Sequence, residues 1–504
     1  MWSLILVNCI LAWAYPLELE AREGSSWLYV IAQQAGVSLY DHDRVAFLNM
    51  NHGPLDPLLK YWLSSLIPIL EPQMVTRFFV LVFPCLLFLL GWRCFSHRAV
   101  GVLLAGVTYL LLASLTPFFL LLGRSDPAAL AGLCAMLLAA GRLQSRPCAP
   151  WPRVALAAAG VGLLGGAVSL INWRFLPYPF LVLAGLVAEH FLRLHPGARL
   201  RPLVGLIGGW AAGFVAIPSL ILGAQFGGDI GLYTFHFFFI FMAESGWGAG
   251  GTEFFELVPS ALGGEHLLPS LCLVAALGVV IALRWRQRSL SWRDGIWMAV
   301  AGAAWFFSAF AYHRNGGGGG LYYFGPAGLV AIYAVAATFR GVVFPAPPAV
   351  AAWALLALAL VCAPVRPIWN QITQLRDSLP GAYAFRTQLR SMVGDEELYS
   401  EDVQFLKTVY RGEIIDMGDL VEKVVYSLGR APFGETALRG FERVKEGKIP
   451  YIMTAGIVGT DGIFVISTIL RDRIAQDYQP VMASGPTMFA NSGSVIVLYA
   501  PKPR

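Results

Sequence analysis

Apolar residues in this chain arrive in runs of about twenty, each nearly free of charge and separated by short polar breaks. A run of that length matches the hydrocarbon layer when it is wound as a helix. The pattern predicts about eleven spans, near residues 2–16, 75–93, 99–115, 127–142, 154–171, 176–192, 202–223, 267–284, 294–311, 322–339 and 348–364. From residue 365 onward the pattern changes. Short strand-like runs at 397–399, 414–415, 451–454 and 495–499 alternate with helical periodicity at 402–410, 420–428 and 436–446, which predicts a small α/β layer. The expected fold class is therefore a polytopic α-helical membrane protein carrying a small C-terminal α/β domain, with domains 1–364 and 365–504.

Composition sharpens this picture. Hydrophobic residues make up 57% of 504 and charged residues 13%, with a mean hydropathy of +0.62, more apolar surface than one globular core can hide. The net charge of +5 does not signal nucleic acid, because the charges fall in short loops between apolar runs. With the N-terminus placed in the cytoplasm, thirteen arginines lie in cytoplasmic loops and three, Arg124, Arg174 and Arg314, in the opposite short loops. Basic residues stay on the cytoplasmic side, so this asymmetry sets the orientation. An odd span count then puts the C-terminal domain outside the cytoplasm. The first run lacks a basic leader and a small-residue cleavage site, so it reads as a retained helix. Seven cysteines sit in or beside apolar runs and show no disulfide or zinc spacing. Frequent Arg in place of Lys, with much Ala and Gly, fits a bacterial source and thus a bacterial inner membrane.

Three stretches expected on the outer side are too polar or broken to be plain connections: 17–73, 224–266 and the C-terminal domain. The first is the densest in chemistry. It carries Arg22-Glu23, reaches Leu39-Tyr40-Asp41-His42-Asp43, and continues through His52-Gly53-Pro54-Leu55 to Lys60-Tyr61-Trp62. Further along stand Arg124 and Asp126 after the third span, Tyr322-Tyr323-Phe324-Gly325-Pro326 before a late span, and Leu398-Tyr399-Ser400-Glu401-Asp402 at the start of the terminal domain.

In this order of features the chain resembles the GT-C glycosyltransferases, in the branch of protein O-mannosyltransferases and the lipid A aminoarabinose transferase. It departs from many members at two places, with Arg22-Glu23 where they carry Asp-Glu and His52-Gly53-Pro54 where they carry His-Pro-Pro. The resemblance implies transfer of one sugar from a polyprenyl-phosphate carrier to an extracytoplasmic glycan, lipid or protein, by a single inverting displacement, with no nucleotide sugar.

Such a reaction needs a carboxylate to take the acceptor's proton, for which Glu23 is the first candidate and Asp41 the second. Glu23 reads equally well as an interfacial charge or a helix cap, and Asp41 as a solvated loop residue. It also needs cations for the phosphate leaving group: Lys60, with Arg124, Arg174 and Arg314 as further candidates. Lys60 has the plainer reading of a side chain snorkelling to lipid headgroups, and the arginines that of headgroup contacts or, for Arg124, a pair with Asp126. His52, Asp126 and Tyr322 are expected to position substrate. His52 has no second His or carboxylate at ligand spacing, so no metal site is expected from it; the sequence leaves divalent-metal dependence open. No covalent cofactor is expected. A transporter or flippase is the rival reading, disfavoured because no internal repeat is visible and the polar residues gather at one face.

Overall fold

The computed structural model describes, with gaps, residues 1–34, 53–226, 282–314, 324–339, 348–394 and 398–400, and parts of 449–503. Twelve helices lie among them. They are α1 Trp2–Ala14, α2 Leu55–Leu66, α3 Pro72–Thr76, α4 Phe78–Cys94, α5 Arg98–Leu115, α6 Ser125–Gln144, α7 Trp151–Ile171, α8 Pro177–Arg193, α9 Leu200–Phe226, α10 Trp292–Arg314, α11 Gly325–Phe339 and α12 Pro348–Val393. Ten of the eleven expected spans thus coincide with helices, and the span expected at 267–284 lies almost wholly outside the described residues. Among the described residues four stretches suffice by length and composition to cross a membrane: Pro72–Cys94, which joins α3 and α4, Ser125–Gln144, Trp151–Ile171 and Leu200–Ile221.

Sequence sets the boundaries locally. Pro72 opens α3 and Pro152 falls in the first turn of α7, positions where a missing N–H costs nothing. Helix α6 lies at the centre and buries most of its length, including Ala128, Ala129, Leu133, Met136 and Leu137. Its many alanines let α4, α7, α8 and α11 approach it.

The closest helix pair is α7 with α9. A Cβ at Gly162 or Gly166 would collide with the carbonyl of Trp210 or Phe214, and one at Gly209 or Gly213 with that of Ala155 or Ala159. Each helix therefore presents a Gly-x-x-x-Gly face to the other, the small-residue device by which backbones pack inside lipid. Trp210 and Phe214 stack at 4.7 Å beside this seam, and Phe180 meets both rings. On the far sides, Leu156, Leu163, Val204 and Leu220 are exposed, as lipid-facing residues are.

Helix ends meet in two groups, as an up-and-down bundle requires. At one end Glu189 of α8 accepts from Gln144 of α6 (2.7 Å) and Trp297 of α10 (2.8 Å) and pairs with Arg293 (2.7 Å) and Arg193. At the other end lies the candidate site. Helices α1 and α12 run in the same direction, joined by Asn8 to Gln371 (2.9 Å) and by the Tyr383 hydroxyl donating to the Ala14 carbonyl (2.9 Å).

Helix α12 continues unbroken for 46 residues through the expected 364/365 boundary, past Pro364, Pro367 and Pro380. Beyond it comes a mixed sheet of β1 Leu398–Ser400, β2 Tyr451–Gly456, β3 Ile463–Phe464, β4 Tyr478–Ala483 and β5 Val495–Pro501. Its order is β1-β2-β5-β4, with β3 also on β2; β1 pairs parallel to β2 and the other pairings are antiparallel. Ile496 and Leu498 point into the core from β5. The expected strand at 414–415 and the expected helices at 402–410, 420–428 and 436–446 lie outside the described residues.

The α7–α9 seam has a direct test. Gly213→Leu overpacks it and is expected to destabilise the purified protein by about 1–3 kcal/mol, whereas Gly208→Leu, on the same helix with open space around it, leaves the thermal unfolding midpoint unchanged.

Candidate active site

Leaving α1, the chain must satisfy the carbonyls that end the helix, and it does so with one guanidinium. Arg77, between α3 and α4, donates Nη1 to the carbonyls of Ala12 and Tyr15 (both 2.7 Å) and Nη2 to that of Leu17 (2.7 Å). Its remaining donors form a two-pronged contact with Glu23, Nε to Oε1 at 2.8 Å and Nη2 to Oε2 at 2.6 Å. The Leu19 N–H also donates to Oε2 (2.6 Å) and the Gly123 N–H to Oε1. Both residues are fully buried. A carboxylate has about four acceptor positions, and those of Glu23 are filled.

Gly123 joins this pair to a second. Its N–H points to Glu23, while its carbonyl accepts from the Lys60 ammonium at 2.7 Å. Lys60 also donates to Asp56 Oδ2, 2.7 Å away and one turn earlier on α2. Asp56 Oδ1 is buried with no hydrogen-bond partner among the described residues. Burial pushes the Asp56 carboxyl above its ordinary value, the Lys60 ammonium pulls it back, and the neighbouring Asp126 charge adds to the rise.

The next residue, Arg124, lies 3.8 Å from Asp126 and places its guanidinium 5.3 Å from the centre of the Phe119 ring. Asp126 sits in the first turn of α6, where a negative charge suits the helix dipole, and accepts from Asn172 at 3.0 Å. The backbone N–H of Arg174 donates to the same Asn172 (3.2 Å). Gly53 explains itself here: its N–H donates to the Ile171 carbonyl at 2.9 Å, and a Cβ would run into the Leu170 carbonyl. The start of α2 thus lies against the end of α7 at a distance only glycine permits.

Of the residues expected from sequence, Glu23, Lys60, Arg124, Asp126 and Arg174 come together at one end of the bundle. Asp41, His52 and Tyr322, and the side chain of Arg314 at the end of α10, lie outside the described residues. Among the described residues no group of three His, Cys, Asp or Glu could hold a metal ion. The expectation passed over Arg77, Asp56, Gly123 and Asn172. Arg77 carried a readable signal: an arginine inside an apolar run needs an anion in reach.

The fold and this charged cluster define a multi-pass helical membrane protein with a polar centre at one end of its bundle. Two crystal structures share the fold from end to end. One is ArnT from Cupriavidus metallidurans in the apo state, at 13% identity and a TM-score of 0.53, covering 98% of this chain and 97% of that one. The other is the same protein bound to undecaprenyl phosphate, at 14% identity with the same TM-score and coverage. A scan against protein-family models and a search of curated proteins find no match.

Removing one member of the Glu23–Arg77 pair leaves the other charge buried alone. Arg77→Met and Glu23→Leu are each expected to cost about 3–5 kcal/mol of stability, and the double variant less than their sum. Denaturation of the four proteins measures this, and additive losses would show that the two side chains do not depend on each other.

Proposed function

We propose that this chain is a GT-C-type membrane glycosyltransferase that moves a sugar from a polyprenyl-phosphate carrier to an acceptor outside the cytoplasm. The observation that carries the reading is the meeting of Lys60 with Asp56 and of Arg124 with Asp126, beside Arg174, at one end of a bundle whose fold is that of ArnT. An ArnT structure holds undecaprenyl phosphate, a ligand whose headgroup calls for fixed cations at the membrane boundary.

In this reading Lys60 takes the carrier phosphate, and Arg124, Arg174 and Arg314 surround it with positive charge as the glycosidic bond breaks. The acceptor oxygen attacks the anomeric carbon from the opposite face, which inverts its configuration. Its proton goes to a carboxylate. Glu23 was the first candidate, but its oxygens each hold two hydrogen bonds, so we assign it to anchoring the first loop and the base to Asp41. His52, Asp126 and Tyr322 position the reactants. The cluster faces outward from a bacterial inner membrane, with the N-terminus in the cytoplasm and the C-terminal strands on the same side as the site. The sugar's acceptor is a glycan, lipid or protein.

Asp41→Asn is expected to lower turnover by about 10²–10⁴-fold with carrier binding kept. Unchanged turnover with a labelled polyprenyl-phosphate sugar would move the base to another residue. Lys60→Met is expected to weaken binding of undecaprenyl phosphate by about tenfold or more, read by equilibrium binding to the purified protein.

A further inference from the structure

The two charge pairs of the site are built differently. Glu23 and Arg77 are fixed on every side, the carboxylate by four donors and the guanidinium by five acceptor contacts. Asp56 and Lys60 are not. Asp56 is 2% exposed, yet among the described residues only Oδ2 is engaged and Oδ1 has no hydrogen-bond partner. Lys60, fully buried, directs two hydrogen bonds among the described residues, to Asp56 Oδ2 and the Gly123 carbonyl, where an ammonium has three to give.

We infer that Asp56 is a displaceable counter-ion: it neutralises Lys60 while the carrier is absent and yields the ammonium to the carrier's phosphate. This rests on the reading of Lys60 as the phosphate contact. An uncompensated ammonium buried at this position would be costly, so an empty site needs a carboxylate beside it. A phosphate arriving next to an ionised Asp56 would place two anions on one cation, and repulsion drives one of them off. Asp56 is the one held loosely. Its release leaves no hydrogen bond to Oδ1 unmade, and its charged form is already disfavoured by burial. Lys60 keeps its place meanwhile, because the Gly123 carbonyl remains and Gly123 is in turn held by Glu23.

Asp56 is not a second candidate for the base. In an inverting displacement, attack and departure occur on opposite faces of the anomeric carbon, and two groups in direct contact cannot serve both. The counter-ion also acts after transfer. A carboxylate competing for Lys60 speeds the departure of the spent carrier phosphate, so Asp56 sets how tightly product is held.

The test uses undecaprenyl phosphate as probe and the full-length purified protein. Asp56→Asn is expected to bind it about tenfold or more tightly than wild type, the scale of close charge pairs, and to be inhibited by it more strongly. Lys60→Met abolishes the gain in the double variant. Weaker or unchanged binding in Asp56→Asn, with Lys60→Met still impaired, overturns the counter-ion and leaves the donor site standing. Unimpaired binding in Lys60→Met overturns the donor site itself. Wild type gives a measurement that needs no variant: its structure with the probe bound should show Asp56 parted from Lys60, and a retained contact beside a bound phosphate overturns the inference.

Discussion

A buried guanidinium organises the end of this bundle that carries the charged cluster. The five N–H groups of Arg77 meet five acceptors, three carbonyls in the last turn of α1 and just after it and both oxygens of Glu23. Helix ends leave carbonyls unpaired, and inside a membrane protein such groups have no water to turn to. Arg77 satisfies them, and its charge suits the negative end of the α1 dipole. That placement requires an anion, which Glu23 supplies from the following loop. The pair therefore fixes how the chain leaves α1, and through Gly123 it fixes the strip that presents Arg124 and receives Lys60.

The same segment is held from the other side by residues far away in sequence. The Tyr383 hydroxyl of α12 donates to Ala14, Arg386 pairs with Glu71, and the Met488 N–H donates to the Tyr15 hydroxyl at 3.2 Å. Tyr15 thus gives its carbonyl to Arg77 and its hydroxyl to the C-terminal part of the chain. Contacts this distant in sequence bring both halves of the chain to one centre.

Much of this architecture was legible in the sequence because lipid imposes a simple rule on length and polarity. The apolar runs located the helices, and charges on the wrong side of the arginine asymmetry located Arg124 and Arg174, which do gather near Lys60, Glu23 and Asp126. Roles were less legible than places. Glu23 looked available because its partner, Arg77, was hidden inside an apparent span at 75–93. The Gly-x-x-x-Gly faces of α7 and α9 stand in plain view in the sequence, but spacing alone shows a small-residue face and not which helix packs on it. Gly53, a departure from His-Pro-Pro, became intelligible only once the end of α7 was seen to press on it. Helix α12 runs through Pro364 and Pro367 and past the boundary expected at 364/365, since a proline costs a helix one hydrogen bond without forbidding it. Strand β4, Tyr-Gln-Pro-Val-Met-Ala, lacks the alternation that marks a half-buried strand, and its place comes from pairing with β5.

Forty-six residues of helix in α12 advance about 69 Å at 1.5 Å per residue, against roughly 30 Å of hydrocarbon. At any usual tilt, about twenty residues or more of it stand clear of the lipid. Strand β1 starts at Leu398, five residues after the helix ends at Val393. A coil of equal length would let the sheet drift over a wide volume, while a helical mast leaves it little slack. The sheet also shares the apolar core of the bundle, and the Met488 N–H reaches the Tyr15 hydroxyl, so helix length and docking are matched, and adding or deleting whole turns in α12 would pull the sheet off its seat.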